Sequence, residues 1–136
     1  MKRCLADAGA VVALLDRADL HHAWAVECYK NLAPPLITCE SVLAETLHLL
    51  ADLGPSANAL ARLHADGILR VDFDFNAHAP ALWRLIEKYR DLPMDFADAC
   101  LVRMSELHAD CVIWTTDPHF RVYRRHGRQA IPLRSP

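Results

Sequence analysis

Cys111-Val112-Ile113-Trp114-Thr115-Thr116-Asp117-Pro118 is where the fold of this chain is most directly read. Four apolar residues, two of them β-branched and one aromatic, run into two threonines and stop at an Asp-Pro pair, the pattern of a short buried strand over 111–116. A carboxylate therefore stands where that strand ends.

Upstream, Pro93 breaks the chain and Asp95 opens a helix expected to run to about residue 109, with Asp98 in its first turn. The same alternation continues outward. A helix is predicted over 77–89, preceded by a strand over 68–73 with Gly67 as a stop. A helix over 56–64 capped by Ser56 and one over 40–52 stopped by Gly54-Pro55 come before it. Residues 36–38 read as a short strand after Pro34-Pro35. Residues 21–32 form an amphipathic run carrying Ala23, Val26 and Tyr29, and a strand ending at Asp7 leads into helical spacing through Leu15. Downstream, a short helix is expected over 118–125, ended by Gly127, then a last strand over 129–133. Alternating strands and helices predict a three-layer α/β/α sandwich with a central parallel sheet.

The chain has 136 residues, which suits one domain spanning 1–136 and large enough to bury a core unaided. Hydrophobic residues make up 53% and charged residues 24%, an ordinary globular balance. Cys4, Cys28, Cys39, Cys100 and Cys111 are odd in number and never closely paired. They read as small core hydrophobes of a reducing compartment, not as zinc ligands or redox pairs. Lys2 and Arg3 before an apolar stretch imitate a signal peptide, but Asp7 interrupts that stretch. No segment is apolar for long enough to span a bilayer, so a soluble cytoplasmic protein without membrane contact is expected.

A net charge of −2 excludes binding of nucleic acid by bulk charge. The distribution is uneven, however: beyond Asp117 there is no acid, while Arg121, Arg124, Arg125, Arg128 and Arg134 all lie there. Arg121 and Arg124 are candidate grips for RNA phosphates. They equally fit a solvated helix end that complements its dipole.

In an open parallel sheet, ligands bind beyond the carboxyl ends of the strands, where strand order reverses. Asp7 and Asp117 would emerge side by side there if their strands are neighbours, with Asp98 and Asp95 close by. Singly, Asp7, Asp95 and Asp117 also read as helix N-caps, and Asp98 as the third-position partner of a capping box. Glu45 differs, since it sits mid-helix among residues expected to face a core, where an unpartnered carboxylate is rarely tolerated. Two charges about 4 Å apart repel by roughly 4 kcal/mol at an effective dielectric near 20, so protons or a cation must relieve such a cluster. Oxygen ligands without histidine or cysteine at ligand spacing favour Mg2+ or Mn2+, and the expected chemistry is phosphodiester hydrolysis by a metal-activated water.

These residues resemble the PIN domains, and among them the VapC-like toxins of toxin-antitoxin pairs. The resemblance rests on Leu5-Ala6-Asp7-Ala8-Gly9-Ala10 through Asp16 with His21-His22-Ala23-Trp24, on Ser41-Val42-Leu43-Ala44-Glu45, on Met94-Asp95-Phe96-Ala97-Asp98-Ala99 and on Thr115-Thr116-Asp117-Pro118-His119-Phe120. It implies Asp7, Glu45, Asp98 and Asp117 as catalytic acids, with Asp7, Asp98 and Asp117 holding Mg2+ or Mn2+, and Asp95 and Thr115 as accessories. It also implies a homodimeric metal-dependent ribonuclease that cuts RNA and is neutralised by a cognate antitoxin. Ala8 stands where many members carry a hydroxyl residue, and Thr116 where asparagine is common. A phospho-accepting receiver would be expected to place a lysine near its acids, and none is supplied at a strand end. An idle PIN-like scaffold acting only by protein binding is disfavoured by the complete acid set.

Overall fold

The computed structural model describes residues 2–53 and 56–136, with the backbone alone at Ser56. Its elements follow the order β1 (Arg3–Ala6), α1 (Ala8–Leu15), α2 (His22–Asn31), β2 (Leu36–Thr38), α3 (Glu40–Leu50), α4 (Ser56–Ala65), β3 (Leu69–Val71), α5 (Phe75–Lys88), α6 (Phe96–Leu107) and β4 (Cys111–Trp114). A single 3₁₀ turn (Pro118–Arg121) and the short strands β5 (Arg124–Arg125), β6 (Gln129–Ala130) and β7 (Leu133–Arg134) close the chain.

Five strands form one parallel sheet in the order β3-β2-β1-β4-β7, so the chain builds outward from β1 in one direction, then returns to its other side through β4. The switch point falls between β1 and β4, where Ala6 pairs with Trp114. Side chains alternate across the sheet as the two-residue strand period requires. Leu5, Ile37 and Ile113 enter a core with α5 and α6, where Leu82, Leu101 and Met104 are fully buried. Cys4, Ala6, Leu36 and Trp114 enter a second core with α1, α2 and α4. The sheet is thus covered on both faces, the three-layer α/β/α arrangement expected. All five cysteines are free and buried in these cores. No described helix is long and apolar enough to cross a membrane.

Several boundaries move for identifiable reasons. The N-cap Asp74 accepts from the Asn76 amide and starts α5 two residues earlier than expected. In α2 the buried positions are Ala25 and Cys28, while Ala23 is exposed, because the helix turns its small residues inward beneath Trp24 and Tyr29. The expected stop at Gly54-Pro55 lies outside the described residues, as does the side chain of Ser56. The helix expected over 118–125 is only one turn long. Arg124–Arg125 instead pairs antiparallel with Gln129–Ala130, and the turn between them places His126 at φ 52° and Gly127 at φ 80°.

That turn is a test of backbone conformation alone, since a Cβ on Gly127 would meet nothing within 4 Å. Gly127→Ala should therefore lose about 1 kcal/mol through left-handed strain, read as a lower melting temperature. An unchanged melt would show that the hairpin does not hold Gly127 in that conformation.

Candidate active site

The β1/β4 switch point supports a cleft of about 390 Å³ lined by Asp7, Glu45, Asp95, Asp98, Asp117 and His119, with Gly9 and Thr116 at its base. Its geometry begins with Thr115, which is fully buried just beyond β4. The Thr115 hydroxyl donates to Oδ2 of Asp7 at 2.6 Å and accepts from the Asp117 amide at 2.9 Å. One side chain so sets the position of two carboxylates from different strands. Asp7 also caps α1, its Oδ1 accepting from the Ala8 amide at 2.8 Å. A hydroxyl donor to Asp7 is thus supplied from β4's end even though position 8 is alanine. Gly9 lies so close under Thr116 that a Cβ there would overlap the Thr116 hydroxyl, a close approach that glycine permits.

Asp95 and Asp98 form a reciprocal capping box at the start of α6. The Asp98 amide donates to Oδ1 of Asp95 at 2.8 Å, and the Asp95 amide to Oδ2 of Asp98 at 3.2 Å. Cap and cleft are the same residues here, not competing assignments. Asp117 caps the 3₁₀ turn, with Oδ1 receiving the His119 amide at 2.9 Å and facing His119 Nδ1 at 2.8 Å. Glu45 reaches the cleft from α3, whose buried stripe is Val42, Thr46 and Leu50. Leu47 and Leu49, expected to face the core around it, are about half exposed.

The family model described as PIN domain matches residues 4–125. The chain belongs to the PIN domain family. Ribonuclease VapC26 of Mycobacterium tuberculosis (strain ATCC 25618 / H37Rv) is 31% identical over 124 residues, 89% of this chain and 92% of that protein. Mycobacterium tuberculosis VapC20, a crystal structure described as that of a Sarcin-Ricin loop cleaving toxin, shares the fold with a TM-score of 0.76 at 20% identity. That match covers 85% of this chain and 90% of the other.

In this PIN domain three acids of the cleft, Asp7, Asp98 and Glu45, are raised above the ordinary carboxyl range. Asp7 is 5% exposed, and burial pushes its carboxyl up to about 6 against the opposing hydrogen bonds from Thr115 and Ala8. Asp98 is 6% exposed and is pushed up to about 8, first by burial and then by the charge of Asp95. Glu45 is raised by burial and by Asp95, Asp7 and Asp117. Among the described residues no three His, Cys, Asp or Glu groups stand as a preformed metal cage, and several of the cleft's oxygens accept from the Thr115 hydroxyl and from backbone amides. The donor chemistry still fits a hard divalent cation: the carboxylates of the cleft are hard oxygen donors, and a cation would offset the burial and mutual repulsion that raise Asp7 and Asp98.

Three residues of the cleft or its wall were not read from the sequence as site residues. His119 was one of eight scattered histidines, and only the turn after β4 brings it onto Asp117. Buried Tyr123 aims its hydroxyl at Oδ2 of Asp98 from 3.5 Å, and Gly9 underlies Thr116. The segment Asp117-Pro118-His119 carried a usable signal for the first, since a cap at Asp117 places residue 119 beside its carboxylate. Arg121 and Arg124 do not line the cleft. Arg121 is exposed and donates to Ser135, and the Arg124 guanidinium donates to the carbonyls of Arg121 and Tyr123.

Because Asp7 and Asp98 are raised above the ordinary value of 3.8, the folded chain holds protons that the unfolded chain has released. Their contribution to stability is full below that value and is lost as pH climbs through about 6 for Asp7 and about 8 for Asp98. Without metal, the melting temperature should fall over this window, and Asp98→Asn, which keeps an oxygen for the Asp95 amide, should flatten the fall. Asp98→Ala lacks that oxygen and should melt below Asp98→Asn by about 1 kcal/mol. Parallel pH profiles for wild type and Asp98→Asn would remove Asp98 from this account.

Proposed function

We propose that residues 1–136 act as a single cytoplasmic nuclease domain, a Mg2+- or Mn2+-dependent endoribonuclease serving as the toxin of a toxin-antitoxin pair. The convergence of Asp7, Glu45, Asp98 and Asp117 on one cleft at the switch point of the sheet carries this reading. Membership of the PIN family and the relative named Ribonuclease VapC26 support RNA as substrate. The neighbour described as a Sarcin-Ricin loop cleaving toxin is in keeping with a toxin role.

Asp7, Asp98 and Asp117 are the residues that would hold the cation. When bound, such an ion supplies Lewis acidity toward a phosphodiester oxygen and lowers the pKa of water to make a nucleophile. Thr115 fixes Asp7 and the Asp117 backbone, so the two carboxylates keep their spacing as charge develops. Asp98 would serve as a ligand in its ionised form. Glu45, on α3 across the cleft, is placed to accept a proton from an attacking water. Asp95 holds the α6 N-terminus, whose positive dipole end favours the negative charge of Asp98.

A cognate antitoxin and a second copy of the chain complete the assembly. The exposed aromatic cluster of Phe75, Trp83 and Phe96, with Trp83 55% exposed, supports pairing of copies through α5 and the start of α6.

Asp7→Asn and Asp98→Asn should each abolish chelator-sensitive RNA cleavage while the protein stays folded. Magnesium at a hundredfold excess over its Kd should stabilise the wild type by about 2.7 kcal/mol in thermal melts, and Asp98→Asn much less. Folded variants that cleave at wild-type rates, or equal metal responses, would refute these roles. RNA binding and antitoxin-free inertness with no cleavage would favour an idle scaffold.

A further inference from the structure

A second cavity, of about 340 Å³, opens between the C-terminal halves of α5 and α6 and the β5–β6 hairpin. Arg84, Lys88, Arg103 and Arg124 line it together with His126, and Glu106 is its one carboxylate among the described residues. Both oxygens of Glu106 are already engaged: Oε1 accepts from Nη1 of Arg103 at 3.0 Å and Oε2 from the His126 amide at 2.6 Å. Nε of Arg103 donates to His78 at 3.2 Å. Among the described residues, Arg84, Lys88 and Arg124 have no carboxylate in ion-pair reach. Two of these heads are nevertheless held, by neutral acceptors. Nζ of Lys88 donates to the Gly127 carbonyl at 3.1 Å, and Nη1 of Arg124 to the Arg121 carbonyl at 2.7 Å. Such bonds orient a cation without neutralising it. The result is a concave, positioned and charge-unbalanced site in a chain whose net charge is −2.

We infer that this cavity holds a phosphodiester group of RNA away from the scissile bond, an inference that rests on the ribonuclease reading above. The acid cleft and its cation serve the scissile group, while the rest of a polyanion gains affinity from cations placed elsewhere. Guanidinium forks suit phosphate oxygens, and three of the four cations are arginines. Arg103 and Glu106 lie five and eight residues beyond Asp98 on α6, which is roughly 8 and 12 Å along the helix and about 140° and 80° around it. The site therefore faces another side of the domain and engages RNA that is long or folded enough to reach round from the cleft.

The test compares wild type, Arg84→Ala/Lys88→Ala and the charge-keeping Arg84→Lys/Lys88→Arg, after melts show that all three fold equally. Binding of a labelled RNA hairpin of roughly 30 nucleotides is followed by anisotropy against salt, with chelator to stop cleavage, and polyglutamate of matched charge serves as the second probe. Cleavage of total cellular RNA with magnesium is measured in parallel. The alanine pair should bind the hairpin about tenfold more weakly, with a log K against log salt slope shallower by about 1 to 2, and the charge-keeping pair should stay near wild type. Cleavage by the alanine pair should show a raised apparent KM with kcat unchanged. Wild-type cleavage together with an unchanged slope in the alanine pair would overturn the inference alone. Lost polyglutamate binding with RNA binding intact would overturn it in favour of an acidic protein segment. A wild type that neither cuts nor binds RNA would overturn the ribonuclease reading itself, and this inference with it.

Discussion

The Thr115 hydroxyl is the point on which the cleft depends. Donating to Asp7 and accepting from the Asp117 amide, it joins the ends of β1 and β4, the two strands that flank the reversal of the sheet. A parallel pair already brings the two chain segments together, but strand pairing alone leaves the side chains free to diverge. A fully buried hydroxyl with both its donor and its acceptor used removes that freedom. The Asp7 amide bonding to the Trp114 carbonyl at 3.0 Å continues the ladder one step beyond the last paired residues, so backbone and side chain fix the same geometry.

The acids of the cleft also do ordinary structural work. Asp7 caps α1, Asp95 and Asp98 cap α6, and Asp117 caps the 3₁₀ turn. Helix N-termini offer amides and a positive dipole end, which makes them natural places to gather carboxylates. Burial works the other way, raising Asp7 and Asp98 well above the ordinary range. Capping and crowding thus oppose each other within single residues, and the cleft is tolerated because local hydrogen bonds offset part of the repulsion.

Much of this was legible before any coordinates. The run ending in Thr115-Thr116-Asp117 marked a strand with an acid at its end, and Asp7 marked another; that they would meet at the switch of the sheet was conditional on their strands being neighbours, which the β1–β4 pairing supplies. What escaped depended on backbone paths and pairings that residue periodicity does not encode. The Arg124–Arg125 segment has helical neighbours on one side and Gly127 on the other, and only pairing with Gln129–Ala130 makes it a strand. Glu45 was flagged by its leucine-rich surroundings and does line the cleft, yet Leu47 and Leu49 are about half exposed, so the core expected around it is not what brings it there. His119 and Tyr123 enter through the turn after β4, whose path no periodicity encodes. The basic cavity joins α5, α6 and a hairpin, three segments that nothing local connects.

The sheet ends in very short strands, three residues at β3 on one side and two at β7 on the other. An exposed edge invites another chain to extend the ladder, and brevity is one way natural sheets discourage that. Edges this short offer few backbone groups for β-addition between copies, which lowers the exposure of the domain to ordered aggregation. Association between copies then falls more to side chains than to the main chain, and single substitutions tune side-chain contacts where they would not tune a ladder.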